Sequence, residues 1–235
     1  MLWRHAQSEA NLRSQMPGAS DDPLTVQGQE QAKQLGAWLA QQAYYPTATY
    51  VSPAVRARQT LDWVEEGFRN YLQVSDQVSD QAVVHPPPQP DPLQPCIDDR
   101  LIEIDNGILA GLTWPEAQTL YPELCAALEQ SSTWLTIPKA ETPTQCRERA
   151  IAIAADLQCT ARPDDCLWLI THGGFLPYLL SVLLGCDRTW GVQAAPTGLF
   201  ELEWDSEHWA IADCNRHNTT LWQIHRFNAI GHLQM

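Results

Sequence analysis

Cys166-Leu167-Trp168-Leu169-Ile170-Thr171-His172-Gly173-Gly174, continuing into the apolar stretch 175–184, decides the fold class of this chain. Five consecutive apolar residues without alternation read as a strand buried on both faces, the pattern of a parallel sheet covered by helices. The run breaks at Thr171-His172-Gly173-Gly174 and resumes as an apolar helix over residues 175–184. The unit is strand, turn, helix, with an imidazole in the turn. Ligands of such sheets sit beyond the carboxyl ends of the strands, so His172 marks a candidate site.

Working outward, residues 1–4 read as the end of a strand, which puts His5 at a second strand end. Residues 12–24 are polar, carry Gly18, Asp21, Asp22 and Pro23, and read as a loop. Thr25 can cap a helix whose apolar side holds Ala32, Leu35 and Leu39 at helical spacing. A short β-rich run at 47–51 ends at Ser52-Pro53, and a helix is expected over 54–68. Residues 73–96 include six prolines between Pro86 and Pro95, which block helix and ladder bonding. They read as an extended surface insertion that acts as a spacer. Helices are expected over 114–128 and 144–157, the second with a stripe of Ala150, Ile151, Ala154 and Leu157. Runs at 198–204, 209–214 and 220–225 read as strands, the first two as a hairpin. Strands alternating with helices indicate an α/β sandwich around a mainly parallel sheet. The whole of 1–235 is expected to be one domain, with a cap region at about 108–142.

Composition narrows the function classes. Hydrophobic residues make up 44% and charged residues 18%, a globular balance that excludes a wholly disordered chain. No run reaches the roughly 18 apolar residues of a membrane span. The first residues lack the apolar region of a signal peptide. Twenty-eight carboxylates against fourteen cations give a net charge of −14. That is the wrong sign for releasing counterions from nucleic acid or binding an anionic membrane. Seven cysteines, an odd number with no CxxC, argue against a disulfide framework and a paired-thiol zinc site. Free thiols in a reducing cytoplasm are expected, and no metal or other cofactor.

Three segments gather anion-binding chemistry at strand ends. Arg4-His5-Ala6-Gln7-Ser8-Glu9-Ala10-Asn11 places a cation, an imidazole, a hydroxyl and an amide at one junction. Ser52-Pro53-Ala54-Val55-Arg56-Ala57-Arg58-Gln59-Thr60 adds a second guanidinium. Thr171-His172-Gly173-Gly174 adds an imidazole and small residues where a helix begins, and free N–H groups there favour an anion. Arginine forks match phosphate oxygens in bidentate geometry. The set reads as a tetrahedral-oxyanion pocket with an imidazole nucleophile.

These segments resemble the signatures of the histidine phosphatase superfamily, whose phosphoglycerate-mutase-like fold is a three-layer α/β/α sandwich. Arg4-His5-Ala6 resembles its arginine-histidine-glycine motif. Residues 52–60 and 171–174 are similar to its serine-proline…arginine-alanine and second-histidine motifs. Leu101-Ile102-Glu103-Ile104-Asp105-Asn106-Gly107 with Gly111 resembles the acidic loop. Phe227-Asn228-Ala229-Ile230-Gly231-His232-Leu233 resembles the asparagine…histidine-leucine tail.

The resemblance implies roles. His5 would be the nucleophile, forming a phosphohistidine that water hydrolyses. Arg4, Arg56 and His172 would donate to the phosphoryl oxygens. Glu103 would be general acid and then base, with Asp105 and Glu116 as nearby rivals. Asn11 and the Gly173 N–H would be accessory phosphate contacts. His232 would belong to a packed tail, and His85, His208, His217 and His225 to surface or core.

Three positions depart from the family pattern. Ala6 replaces glycine, which matters if that position needs positive φ or close approach of the phosphate. Ala110 stands where many members have an acidic residue. Only three residues precede Arg4, from which the native chain is expected to begin upstream of Met1. A mutase would need positive charge for a second anionic group, whereas residues 112–142 carry one cation, Lys139. The expected activity is therefore phosphomonoester hydrolysis of a small phosphorylated metabolite. The alternatives are a non-catalytic phosphate-binding relative, a phosphoglycerate-type mutase and, more remotely, a metal-dependent hydrolase. Oligomeric state is not legible.

Overall fold

The apolar run at 166–170 forms most of the strand Leu167–Thr171, which lies at the centre of a six-stranded sheet and is buried at every position. The computed structural model describes residues 1–16, 21–78, 94–205, 207–208 and 217–234. In chain order the elements are β1 (Leu2–Arg4), α1 (Glu9–Leu12), α2 (Val26–Gln41), β2 (Ala48–Val51), α3 (Val55–Val78) and β3 (Cys96–Ile97). They continue with α4 (Trp114–Leu120), α5 (Pro122–Gln130), α6 (Pro143–Thr160), β4 (Leu167–Thr171), α7 (Leu176–Leu183), β5 (Leu199–Trp204) and β6 (Trp222–Ala229). Short 3-10 turns cover Asp99–Leu101, Gly107–Leu109 and Gly231–Gln234.

The strand order is β3-β2-β4-β1-β5-β6. The four strands from β3 to β1 run parallel, and β5 and β6 extend the sheet antiparallel. Side chains alternate across a strand, and β4 divides accordingly. Leu167 and Leu169 join a core with Ala150, Ile153, Ala154 and Leu157 of α6 and Leu176, Leu179, Leu180 and Leu183 of α7. Trp168 and Ile170 join the opposite core with Ala32, Leu35 and Leu39 of α2 and Leu61, Val64 and Phe68 of α3. Leu2 and Trp3 of β1 split the same way. Helices therefore cover both faces, as expected. Helices α2 and α3 meet backbone to backbone. A Cβ on Gly36 would lie 1.9 Å from the Val64 carbonyl oxygen, and one on Gly67 would lie 2.1 Å from that of Lys33.

Thr25 caps α2 as its sequence predicts, its hydroxyl accepting from the Gly28 N–H at 2.9 Å. Three expectations are corrected. Helix α3 runs ten residues beyond 68, because no glycine or proline follows Gly67 until the prolines at 86 and beyond. The helix expected over 114–128 is two helices, broken where Pro122 lacks an N–H and Tyr121 takes φ −134° and ψ 57°. On α6 the buried positions are Cys146, Ala150, Ile153, Ala154 and Leu157, while Ile151 is 49% exposed. β5 pairs antiparallel with β6, which covers the strand expected at 220–225. The expected strand at 209–214 lies outside the described residues, as do 79–93 of the proline-rich segment and His85.

A small third core of Leu109, Ala117 and Cys125 holds the cap, with Trp114 and Tyr121 packed on it. It is tied to the loop after α1 by Met16 N–H to Leu112 O at 2.8 Å and Gly111 N–H to Met16 O at 3.0 Å. Gly107 and Gly111 have φ of +56° and +80°, conformations that favour glycine. No described helix is long and apolar enough to cross a membrane. The six described cysteines are free.

Candidate active site

Strands β2, β4 and β1 lie side by side, and the chain leaving each one carries Ser52 and Arg56, His172, and His5 respectively. Parallel pairing therefore brings both histidines and the second arginine to one edge of the sheet. The His5 and His172 rings are 5.1 Å apart, edge to face. Both are almost fully buried.

Hydrogen bonding sets the two tautomers. His5 Nδ1 lies 2.7 Å from the Ala6 carbonyl oxygen, which can only accept. Nδ1 therefore carries the proton and Nε2 keeps its lone pair. His172 Nδ1 accepts from Arg56 Nε at 3.2 Å, so its proton sits on Nε2, which donates to Ser52 Oγ at 2.7 Å. Burial first, then the neighbouring guanidiniums of Arg4 and Arg56, hold His5 well below the ordinary histidine range. Burial, His5 and the same two arginines depress His172 likewise. Two neutral imidazoles beside two cations can act as a nucleophile and an anion receptor without four competing charges.

Arg4 donates from one terminal nitrogen to Ala194 O at 2.8 Å, and its buried Nε has no protein partner. Arg56 is 6% exposed. Burial lowers both guanidiniums, opposed in each by the Glu103 carboxylate, which therefore lies close to both. Glu103 Oε1 accepts from the N–H groups of Ile104 and Phe175, both at 2.9 Å, and Oε2 accepts from Gly174 at 3.1 Å. Three of about four acceptor positions on a carboxylate are thus used. One remains on Oε2 for a proton exchanged with a ligand. A Cβ at Gly174 would fall 2.7 Å from Glu103 Oε1, so any larger residue there would displace the carboxylate.

The rival carboxylates are placed elsewhere. Glu116 is exposed and caps α4, accepting from the Thr113 N–H and hydroxyl at 2.8 Å each. Asp105 accepts from the Gly107 N–H. Asn11 uses its Oδ1 in the capping box of α1, accepting from the Ser8 N–H at 3.2 Å, so Nδ2 is what it can offer an anion. Gly173 lies against Arg4, where a Cβ would be 3.1 Å from Nε. Ala6 is not among the described residues with positive φ, and its methyl group is buried in the Trp3 core. Alanine therefore strains nothing at this position.

Some groups that hold the site are absent from any sequence reading of roles. Ser52 fixes His172. Thr60 Oγ1 accepts from the Ala6 N–H at 3.0 Å and donates to Arg56 O at 2.7 Å, joining the two segments that carry His5 and Arg56. Asn228 accepts from the Ala195 N–H and donates to Gln193 O, shaping the loop whose Ala194 carbonyl orients Arg4. Thr197, at φ 57°, donates its N–H to Arg4 O and pairs through Oγ1 with buried His232. His232 is thus in a packed tail, as expected. His225 pairs with Glu203 across the β5–β6 hairpin, and His208 with Asp205. Among the described residues no group of three or more His, Cys, Asp or Glu converges as metal ligands.

The family model described as the histidine phosphatase superfamily (branch 1) matches residues 1–82 and 89–217. The chain belongs to the histidine phosphatase superfamily. Relatives within this superfamily carry both kinds of name. The 2,3-bisphosphoglycerate-dependent phosphoglycerate mutase of Nitrobacter hamburgensis is 30% identical over 186 residues, 78% of this chain and 79% of that protein. The uncharacterized phosphatase PhoE of Bacillus subtilis is 24% identical over 216 residues, 91% and 92% of the two chains. Among solved structures, Bacillus stearothermophilus YhfR superposes with a TM-score of 0.72 at 21% identity, covering 99% and 97%. A mycobacterial glucosyl-3-phosphoglycerate phosphatase gives 0.68 at 22% identity, covering 97% of each. The structural likenesses establish the histidine phosphatase fold. The relatives together support an enzyme of the phosphatase or mutase type.

Proposed function

We propose that this chain hydrolyses a phosphate monoester of a small metabolite through a phosphohistidine at His5, without a metal ion. The observation that carries the reading is the His5 ring, with Nδ1 tied to the Ala6 carbonyl oxygen and Nε2 left as an unprotonated nitrogen beside His172. In the first step Nε2 attacks phosphorus, the bond to the leaving oxygen breaks, and Glu103 Oε2 gives that oxygen a proton. In the second, Glu103 takes a proton from water, the hydroxide attacks the phosphohistidine, and the N–P bond breaks to release inorganic phosphate. Acid–base assistance of this kind contributes about 10²–10⁴-fold. Arg4, Arg56, the Gly173 N–H and Asn11 Nδ2 are the donors for the phosphoryl oxygens. The charge of the two guanidiniums substitutes for a metal ion.

Hydrolysis is preferred to mutase chemistry because residues 112–142 offer only Lys139 as a cation against Glu116, Glu123, Glu129 and Glu141. A mutase must hold a second anionic group while it retains the phosphoryl group. The test is phosphate release in the presence of chelator from an aryl phosphate, sugar phosphates and phosphoglycerates, beside a His5→Ala control. Release that vanishes in the control is expected. Faster interconversion of phosphoglycerates than release of phosphate would replace the reading with a mutase. No release by folded protein would favour the non-catalytic relative.

A further inference from the structure

The acid–base carboxylate is held by a device outside all of the motif segments. Arg149 of α6 donates from one terminal nitrogen to Arg100 O at 2.7 Å and to Ile102 O at 2.6 Å, gripping the loop that ends in Glu103. Its guanidinium carbon sits 3.9 Å from the centre of the Phe175 ring. Phe175 is fully buried, and its N–H holds Glu103 Oε1. The guanidinium therefore touches both halves of the Glu103 cradle: the loop that carries the side chain and the turn whose N–H groups receive it. Glu141 locks the guanidinium in turn, with Nε to Oε1 at 3.0 Å and a terminal nitrogen to Oε2 at 2.7 Å. Both side chains are mostly buried, at 14% and 18% exposure. Glu141 is itself placed by its N–H, which bonds to Asp105 O on the far side of the acidic loop.

A planar fork is what this geometry needs. Two carbonyls, one bidentate carboxylate and one aromatic face are satisfied by a single side chain, which a lysine ammonium cannot do. We propose that the Arg149–Glu141 pair is the positioning device for Glu103, acting through the Arg100 and Ile102 carbonyls and the Phe175 ring. This rests on the proposed hydrolase reading, in which Glu103 protonates the leaving oxygen. A merely structural pair would affect all substrates alike. A positioning pair affects those that need the proton.

The experiment compares kcat/KM, which reports the first phosphoryl transfer, for p-nitrophenyl phosphate and glycerol phosphate. The nitrophenolate leaves as its anion, whereas the glycerol alkoxide must be protonated. In Arg149→Met, kcat/KM for the alkyl ester is expected to fall by about 10²-fold and for the aryl ester by less than about fivefold, the pattern of a lost general acid. Glu103→Gln should show the same split. Glu141→Gln keeps the shape but breaks the bidentate lock, and should show the split at smaller amplitude if Arg149→Met does not fold. Equal losses on both esters, or no loss in either variant, would overturn the positioning role while leaving the hydrolase intact. Wild-type protein inactive on both esters would overturn the hydrolase reading and this inference with it.

Discussion

Removing the Ser52 hydroxyl tests the reading of His172 most directly. A guanidinium has no acceptor, so Arg56 Nε obliges His172 Nδ1 to be the lone-pair nitrogen, and the proton on Nε2 requires an acceptor. Ser52 Oγ at 2.7 Å supplies it. Both residues are fully buried. In Ser52→Ala the ring has two options. It can keep the proton on Nε2 with no acceptor, or move it to Nδ1 and oppose two donors at the Arg56 contact. Either leaves a buried polar group unsatisfied, at about 1–3 kcal/mol. Only one oxygen is removed, so loss of packing contributes little. For a chain of this size about 1 kcal/mol corresponds to 2–4 °C in Tm, so a fall of about 2–12 °C is expected. Thermal unfolding measures it, and imidazole nitrogen NMR reads the tautomer. Wild-type spectra should place the His172 proton on Nε2. A proton on Nδ1, or a Ser52→Ala variant within about 0.5 kcal/mol of wild type, would refute the reasoning.

Stability should fall with pH below the ordinary histidine range. His5 and His172 are held well below it by burial, and burial lowers His232 to about 4. The unfolded chain binds protons at these sites from about pH 6.5 downward while the folded one does not, so each contributes up to about 1.4 kcal/mol of lost stability per pH unit. His232→Gln should flatten the curve between pH 6 and 4; denaturant unfolding across pH checks this, and a wild-type stability unchanged from pH 7 to 5 would contradict it. Gly174→Ala should push the Glu103 carboxylate aside, since the new Cβ would meet Oε1 at 2.7 Å and the Ile104 side chain at 2.9 Å. Turnover of alkyl phosphates is expected to drop about 10–10²-fold, and unchanged kcat/KM would show that the carboxylate is not used there.

Much of this molecule is legible in its amino-acid order. The unalternating run at 166–170 specifies a strand covered on both faces, and the spacing of Ala32, Leu35 and Leu39 specifies the face of α2. Both follow from side-chain periodicity, a local property of the chain. The segments at residues 4–11, 52–60 and 171–174 likewise name groups around the pocket, because each begins where a strand ends, and the resemblance of 101–107 to the family's acidic loop adds Glu103.

Tertiary structure alone decided how those groups are held and which of them meet. Glu103 and Glu116 are both carboxylates of one acidic region. Only the fold shows Glu103 caught by the N–H groups of Gly174 and Phe175, 71 and 72 residues away, and Glu116 spent on its own helix cap. Ser52 meets His172 across 120 residues, and Arg149 grips Ile102 across 47. A hydrogen bond between residues so far apart in the chain leaves no period and no spacing in the sequence. It exists only once the sheet has set β1, β2 and β4 side by side and the helices have packed against them. The sequence therefore determined the layers and the cast of side chains around the candidate pocket. Their tautomers, partners and orientation were decided by non-local packing.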